Sequence, residues 1–360
     1  MAGPRIAFVQ DWLTTFRGGE QVLLALHDLF PGAPIYTSIY NPEAVPQFAG
    51  ATVRTSYLQK IPGAKRRFEV LIPLMPQAFE SFDLKGYDII VSVGNGMSKG
   101  VLAHPGQRHV WYCHTPARYL WNLGGDNRNK GRFDSGLREY VSHKMRIWDA
   151  VSAQRPDVIV TNSITDQERI RKVYRRDATV VYPPVRTDRF QPQDGSKDYF
   201  LSVGQLVAYK RTDLAMAACM AAQQPLVVVG AGPERQKLEK LAAGSPLISF
   251  RGRLSDQELA EAYANAKALI FAAEEDFGIV PVEAMSAGVP VIAFGKGGAT
   301  ESVVAGKSGQ FFAEQNVGSL VAAIAAFDPE TYSPAVVRAQ AERFDTVHFQ
   351  DQMKALILGK

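Results

Sequence analysis

Cysteine is nearly absent: Cys113 and Cys219 are the only two in 360 residues. Two thiols supply no disulfide framework and suit a reducing cytoplasm. No apolar run approaches the roughly 20 residues that a membrane-spanning helix requires. The start, Met1 to Gln10, lacks a basic region followed by an apolar core and a small-residue cleavage site, so no signal peptide is expected. Asp-x-Asp occurs nowhere, and Glu274 and Asp276 have no nearby His or further carboxylate, which makes poor coordination, so no metal site is expected. Neither an excess of charge nor a shortage of apolar residues is present. The chain is 46% hydrophobic and 21% charged with a formal net charge of +4, which excludes a disordered or collagen-like chain. Its length points to two domains.

The charge is uneven. Residues 1–180 hold 23 Lys and Arg against 16 Asp and Glu, which is +7, and residues 181–360 hold 17 against 20, which is −3. A basic half joined to a slightly acidic half suggests that the first faces something anionic. Two solvated surfaces with a chance imbalance would look the same.

Short β-rich apolar runs alternate with helical patterns. They are Arg5–Gln10, Asp88–Val93, His109–Cys113, Asp157–Thr161 and Thr179–Tyr182, then Tyr199–Val203, Pro225–Val229, Leu247–Phe250, Ala268–Phe271 and Pro290–Ala293. Such runs read as strands buried on both faces with crossover helices, hence parallel doubly wound sheets. The break falls at Tyr182-Pro183-Pro184-Val185, because two prolines stop helix and sheet alike. The segment Thr346 to Leu358 has helical spacing at Phe349, Met353, Leu356 and Ile357 and is expected to pack back on the body. Gly124 to Gly136 reads as a mobile loop.

Four motifs follow strand ends, where open α/β sheets place ligands. In Glu274 to Glu283 (EEDFGIVPVE), Phe277, Gly278, Ile279 and Val280 form a turn into a helix that offers backbone N–H groups to an anion or sugar. Glu275 and Glu283 can then face one cleft and bind vicinal hydroxyls, or merely decorate a helix N-terminus. In Ser202 to Arg211, Lys210 and Arg211 precede a helix and could neutralise a diphosphate, or be solvated cations. Gly18-Gly19, between a strand and a helix, permits close approach of a phosphate, or answers a need for positive φ. His114, with Arg118 nearby, follows the fourth strand end. Gly230-Ala231-Gly232 imitates a dinucleotide fingerprint, but Arg235 stands where the third glycine belongs.

Lying at strand ends in the expected order along the chain, the four motifs together resemble glycosyltransferase family 4, and the segments Cys113 to Trp121 and Glu274 to Glu283 resemble its bacterial GDP-mannose-dependent mannosyltransferases of surface polysaccharide biosynthesis. The resemblance implies the α/β GT-B fold: two Rossmann-like doubly wound parallel-sheet domains facing across a cleft. Residues 1–184 would bind the acceptor, 185–345 would bind the nucleotide-sugar donor, and a helix at 346–360 would pack on the first domain. Glu275 would contact the donor sugar, Glu283 the ribose and Lys210 the diphosphate, with Gly18-Gly19 closing from the other domain and His114 approaching the sugar. Arg253, in the loop Arg251 to Leu254, would line the base pocket. The family commonly has Arg where Gln205 stands, and Arg211 is the candidate substitute. The family needs no metal or cofactor and retains anomeric configuration.

On the acceptor side, Lys60, Lys65, Arg66 and Arg67 adjoin the apolar, Pro-interrupted stretch Val70 to Phe79. Basic plus apolar fits an anionic membrane surface or a lipid-linked diphosphate, and also fits a core helix with a solvated basic start. The expected function is hexose transfer, with mannose from GDP-mannose, to a lipid-diphosphate-linked saccharide in polysaccharide or O-antigen assembly. The expected place is the cytoplasm, on the inner membrane face. The rivals are a UDP-sugar donor, a non-hydrolysing sugar-nucleotide epimerase on the same fold, and a non-catalytic nucleic-acid or lipid binder. Aromatic-basic RNA-binding signatures are missing, so no nucleic-acid partner is expected.

Overall fold

The computed structural model describes residues 3–123 and 135–359. Most of the expected loop at 124–136 lies outside the described residues. Two compact units emerge: Met1–Pro184 with Phe349–Lys360, and Val185–His348.

The first unit holds a seven-stranded parallel sheet, ordered β3-β2-β1-β4-β5-β6-β7. Its strands are β1 Ile6–Gln10, β2 Ile35–Thr37, β3 Val53–Thr55, β4 Ile89–Gly94, β5 Arg108–Cys113, β6 Val158–Thr161 and β7 Thr179–Val180. β1, β4 and nearly all of β5 are buried, as a sheet covered by helices on both faces demands. Phe349, Met353 and Ile357, on one side of the helix Thr346–Leu358, join its core. The Phe349 ring meets Tyr112 edge-on at 5.8 Å, and Arg108 donates to the carbonyl of Leu356.

The second unit holds a six-stranded parallel sheet, ordered β10-β9-β8-β11-β12-β13. Its strands are β8 Tyr199–Val203, β9 Leu226–Val229, β10 Ile248–Gly252, β11 Ala266–Phe271, β12 Val291–Phe294 and β13 Gly309–Phe312. The strand order reverses between β1 and β4 in one sheet and between β8 and β11 in the other. In open α/β sheets, ligands bind at the carboxyl ends of the strands beside such a reversal. Among the described residues no helix is long and apolar enough to cross a membrane.

Candidate functional site

In the second unit, β8 and β11 are paired neighbours. The loops Gly204 to Arg211 and Ala272 to Gly278 therefore leave the sheet side by side. Lys210 Nζ forms an ion pair with Glu275 Oε1, although 65 residues separate them in sequence. Their side chains are only 18% and 19% exposed, so the two charges neutralise each other in a partly dry environment.

Gly278 adopts φ +83° and opens the helix Ile279–Ser286. A β-carbon is strained at that φ, and it would also press on the Phe271 ring. Phe277 is buried against Phe344, with ring centroids 5.4 Å apart, so its side chain anchors the turn and its backbone can serve a ligand. No side chain caps the helix N-terminus, where Ile279 and Val280 begin the chain of orphan N–H donors.

Glu283 lies one turn inside that helix. Its Oε1 accepts from Arg189 Nη1 at 3.0 Å, and Arg189 also forks onto Asp256 at 2.9 and 2.5 Å. Burial raises the Glu283 pKa to about 7, with Arg189 opposing and Asp256 adding to the rise. Of the remaining donor-site candidates, Gln205 and Arg253 are exposed. Arg211 is engaged by Gln315 at 3.0 Å and by Asp213 at 3.3 Å, and Gln315 in turn donates to the carbonyl of Ala272.

Glycines outside the four motifs also shape this site. Gly298 donates to the carbonyl of Glu275 at 2.8 Å, and a Cβ at Gly298 would overlap the backbone of Asp276 and Phe277. Gly230 and Gly232 do the same for the Lys210 loop: a Cβ on either would overlap the carbonyls of Gly204 and Leu206. The imitation of a dinucleotide fingerprint is thus accounted for by two loop backbones in contact.

In the first unit the β1 and β4 loops are locked together by Asp11. Its carboxylate accepts from the N–H groups of Asn95, Gly96, Met97 and Ser98 at 2.8, 3.3, 3.0 and 2.7 Å. Gly18 and Gly19 are the first residues of the helix Gly18–Leu29, and neither has a positive φ. Gly19 instead sits against the His114 ring: a Cβ there would lie 3.1 Å from His114 Nε2, close enough to push the ring aside by a few tenths of an ångström. The structure thus brings His114 and the glycine pair together. The buried Glu20 accepts from the N–H of Arg17 at 2.8 Å, and burial raises its pKa.

Arg118 starts the short helix Arg118–Trp121, which a buried charge pair pins in place. Lys99 Nζ is 2.5 Å from Asp149 Oδ1, both side chains fully buried, while Asp149 Oδ2 accepts from Trp121 Nε1 at 2.7 Å and Tyr174 Oη at 2.8 Å. Lys60, Lys65, Arg66 and Arg67 are all exposed, and the segment 59–66 lines a surface pocket. The stretch beside them is a 3-10 helix, Phe68–Leu74, with Pro73 inside it, and a short α-helix, Met75–Glu80, with Pro76 in its first turn; Val70 is 71% exposed. Among the described residues no group of three or more His, Cys, Asp or Glu could hold a metal ion.

A family model described as glycosyl transferases group 1 matches residues 185–334. A sulfoquinovosyl transferase of Arabidopsis thaliana is 34% identical over 128 residues, covering 33% of this chain and 25% of the relative. A GDP-mannose-dependent alpha-(1-6)-phosphatidylinositol monomannoside mannosyltransferase of Mycobacterium tuberculosis is 29% identical over 199 residues, covering 47% of this chain and 52% of the relative. The match thus spans about a quarter and about half of these two relatives. A sucrose-phosphate synthase structure from Thermosynechococcus elongatus superposes with a TM-score of 0.75 at 18% identity, covering 98% of both chains. Residues 185–334 are thus similar to the glycosyl transferases group 1 family, in a chain whose two parallel sheets have the GT-B fold.

Proposed function

We propose that this protein is a metal-independent, retaining hexosyltransferase that uses a nucleotide-sugar. The observation that carries this reading is the Lys210–Glu275 pair at the β8–β11 reversal, beside an uncapped helix N-terminus. Each of the two charges occupies the other. A bound nucleotide-sugar would exchange that pairing for two better ones. Lys210 takes the diphosphate as a point charge, and Glu275 accepts from hydroxyls of the sugar. The N–H groups of Ile279 and Val280 also face developing negative charge.

In the step itself, the bond between the anomeric carbon and the diphosphate oxygen breaks. The acceptor hydroxyl oxygen bonds to that carbon on the same face, and the departing diphosphate takes the acceptor's proton. Lys210 and the helix N-terminus stabilise the charge that grows on the leaving group, which is electrostatic catalysis. His114, held against Gly19, is assigned to the donor sugar, and Gly18 with Gly19 to its phosphates. Glu283 is assigned to the ribose and Arg253 to the base.

We take GDP-mannose as the donor, in line with the mycobacterial relative's name, and a lipid-diphosphate-linked saccharide of polysaccharide or O-antigen assembly as the acceptor. Contact with an anionic inner membrane face is supported by exposed apolar side chains beside cations. Val70 stands near Lys65 to Arg67, and Leu137 (62% exposed), Tyr140, Ile147 and Val151 flank Lys144 along the helix Ser135–Ser152.

The test is a thermal-shift panel of GDP, UDP, GDP-mannose and UDP-glucose on wild type, Lys210→Ala and Glu275→Ala. Saturating donor should stabilise wild type by about 2.7 kcal/mol at 100 times its dissociation constant. Both variants should lose turnover by at least ~100-fold while staying folded. Near-normal turnover in both would sink the assignment. A UDP preference would replace GDP-mannose as donor, and consumption of the nucleotide-sugar without an acceptor would favour an epimerase.

A further inference from the structure

The residue that organises the Glu283 corner is one that no motif marks. Arg189 lies in the turn Thr187–Arg189, 94 residues before Glu283. Its guanidinium is fully committed. Nε and Nη2 fork onto Asp256, at the start of the helix Asp256–Ala264, and Nη1 reaches Glu283 Oε1 at 3.0 Å. The turn is itself strapped to the Glu283 helix by Arg338, whose Nη1 donates to the carbonyls of Phe190 at 2.9 Å and Ser286 at 2.7 Å. Glu283 is only 15% exposed, and among the described residues Arg189 engages only its Oε1, so Oε2 can serve a ligand.

Resting on the donor-site reading above, we propose that Arg189 is a positioning residue for Glu283: clamped by Asp256, it orients the carboxylate and keeps it charged for the cis-diol of the donor's ribose. An ionised carboxylate accepts from both hydroxyls, whereas a protonated one does not. The charged groups facing Glu283 are Arg189 from the turn and Asp256 from the helix start; the neutral Tyr263 of the same helix also faces it, its buried hydroxyl without a hydrogen-bond partner among the described residues. Arg338, from the helix Pro334–Glu342, serves the backbone next to it. Burial and Asp256 both push Glu283 toward its neutral form, and Arg189 alone among these opposes them. Removing that one cation should leave Glu283 protonated at neutral pH.

The experiment is calorimetric titration of GDP-mannose and UDP-glucose from pH 6 to 9, a range in which a diphosphate esterified at both ends keeps a constant charge. The proteins are full-length wild type, Arg189→Met, Arg189→Lys and Glu283→Gln. The Met variant keeps the apolar stem beside the Phe190 ring, whose centroid is 4.8 Å from the guanidinium carbon. Wild-type affinity for the donor it accepts should be level above about pH 8 and fall about tenfold per unit once Glu283 protonates. Arg189→Met should move that fall upward by a unit or more, so its loss is greatest near pH 7 and mostly recovered at pH 9. Arg189→Lys should restore the wild-type profile, and Glu283→Gln should be weak and flat. An Arg189→Met loss that is the same at every pH, or no loss, overturns the proposal and leaves the donor site standing. A wild type that binds neither probe overturns the donor-site reading and this proposal with it.

Discussion

The Gly19 backbone lies so close to the His114 ring that a β-carbon there would stand 3.1 Å from Nε2. Stability and activity should part company at this position. Gly19 has ordinary helical backbone space, so Gly19→Ala should stabilise the helix start by about 0.4–1 kcal/mol. The same methyl group must push the imidazole aside by a few tenths of an ångström. We expect an unchanged or higher melting temperature with turnover down about tenfold, since misplacing a reacting group is costly. A variant that is both stable and fully active would show that His114 needs no fixed position.

Gly298 offers the opposite case. A Cβ there would overlap backbone atoms of Asp276 and Phe277, which cannot swing away as a side chain can. Gly298→Ala should cost about 1–3 kcal/mol, as overpacking does, and should abolish donor binding through the displaced Glu275 loop. Urea melts and nucleotide titration would check both, and wild-type affinity in the variant would refute the link.

Glu283 should give the second unit an unusual pH response. Its pKa is about 7 when folded against 4.5 for the free group, so the folded protein holds this proton more tightly than the unfolded chain. Stability from this group is therefore full below pH 4.5 and lost as pH rises to about 7, by up to about 3 kcal/mol. Glu283→Gln should remove that loss. The variant should melt higher than wild type at pH 8 and gain nothing at pH 4.5. An equal difference at both pH values would disprove it.

Vesicle flotation tests the membrane face. Charge reversal of Lys65, Arg66 and Arg67 should weaken binding to anionic vesicles by about 1 kcal/mol per cation at low salt. Ile147→Glu should weaken it about tenfold or more, by removing about 1.5–3 kcal/mol of apolar burial. Wild type that does not float with such vesicles would remove the membrane from the proposal.

Ten apolar runs in the sequence match ten of the thirteen strands among the described residues, to within a few residues at the ends. The strands that escape notice are Ile35–Thr37 and Val53–Thr55, too short to show a period, and Gly309–Phe312, an edge strand that opens on glycine. In the site, Lys210 and Glu275 were legible because each follows a long apolar strand. Arg189 was not, because a cation in a loop has no signature until the fold brings a carboxylate to it. Asp11 is invisible for the same reason: its four donors lie more than 80 residues away. The glycine pair at 18 and 19 is legible, but the structure ties Gly19 to a neighbouring ring rather than to a positive φ.

The helix Thr346–Leu358 bears on the order of events during synthesis. Phe349, Met353 and Ile357 complete a core whose other members all precede Pro184. The second unit, contiguous from Val185 to His348, has all its own residues as soon as it leaves the ribosome. The first unit does not: its Tyr112 ring waits for a partner 237 positions later. The earlier-made unit is therefore the later one to finish, and until then an apolar face of its sheet stays open to chaperones and to other nascent chains.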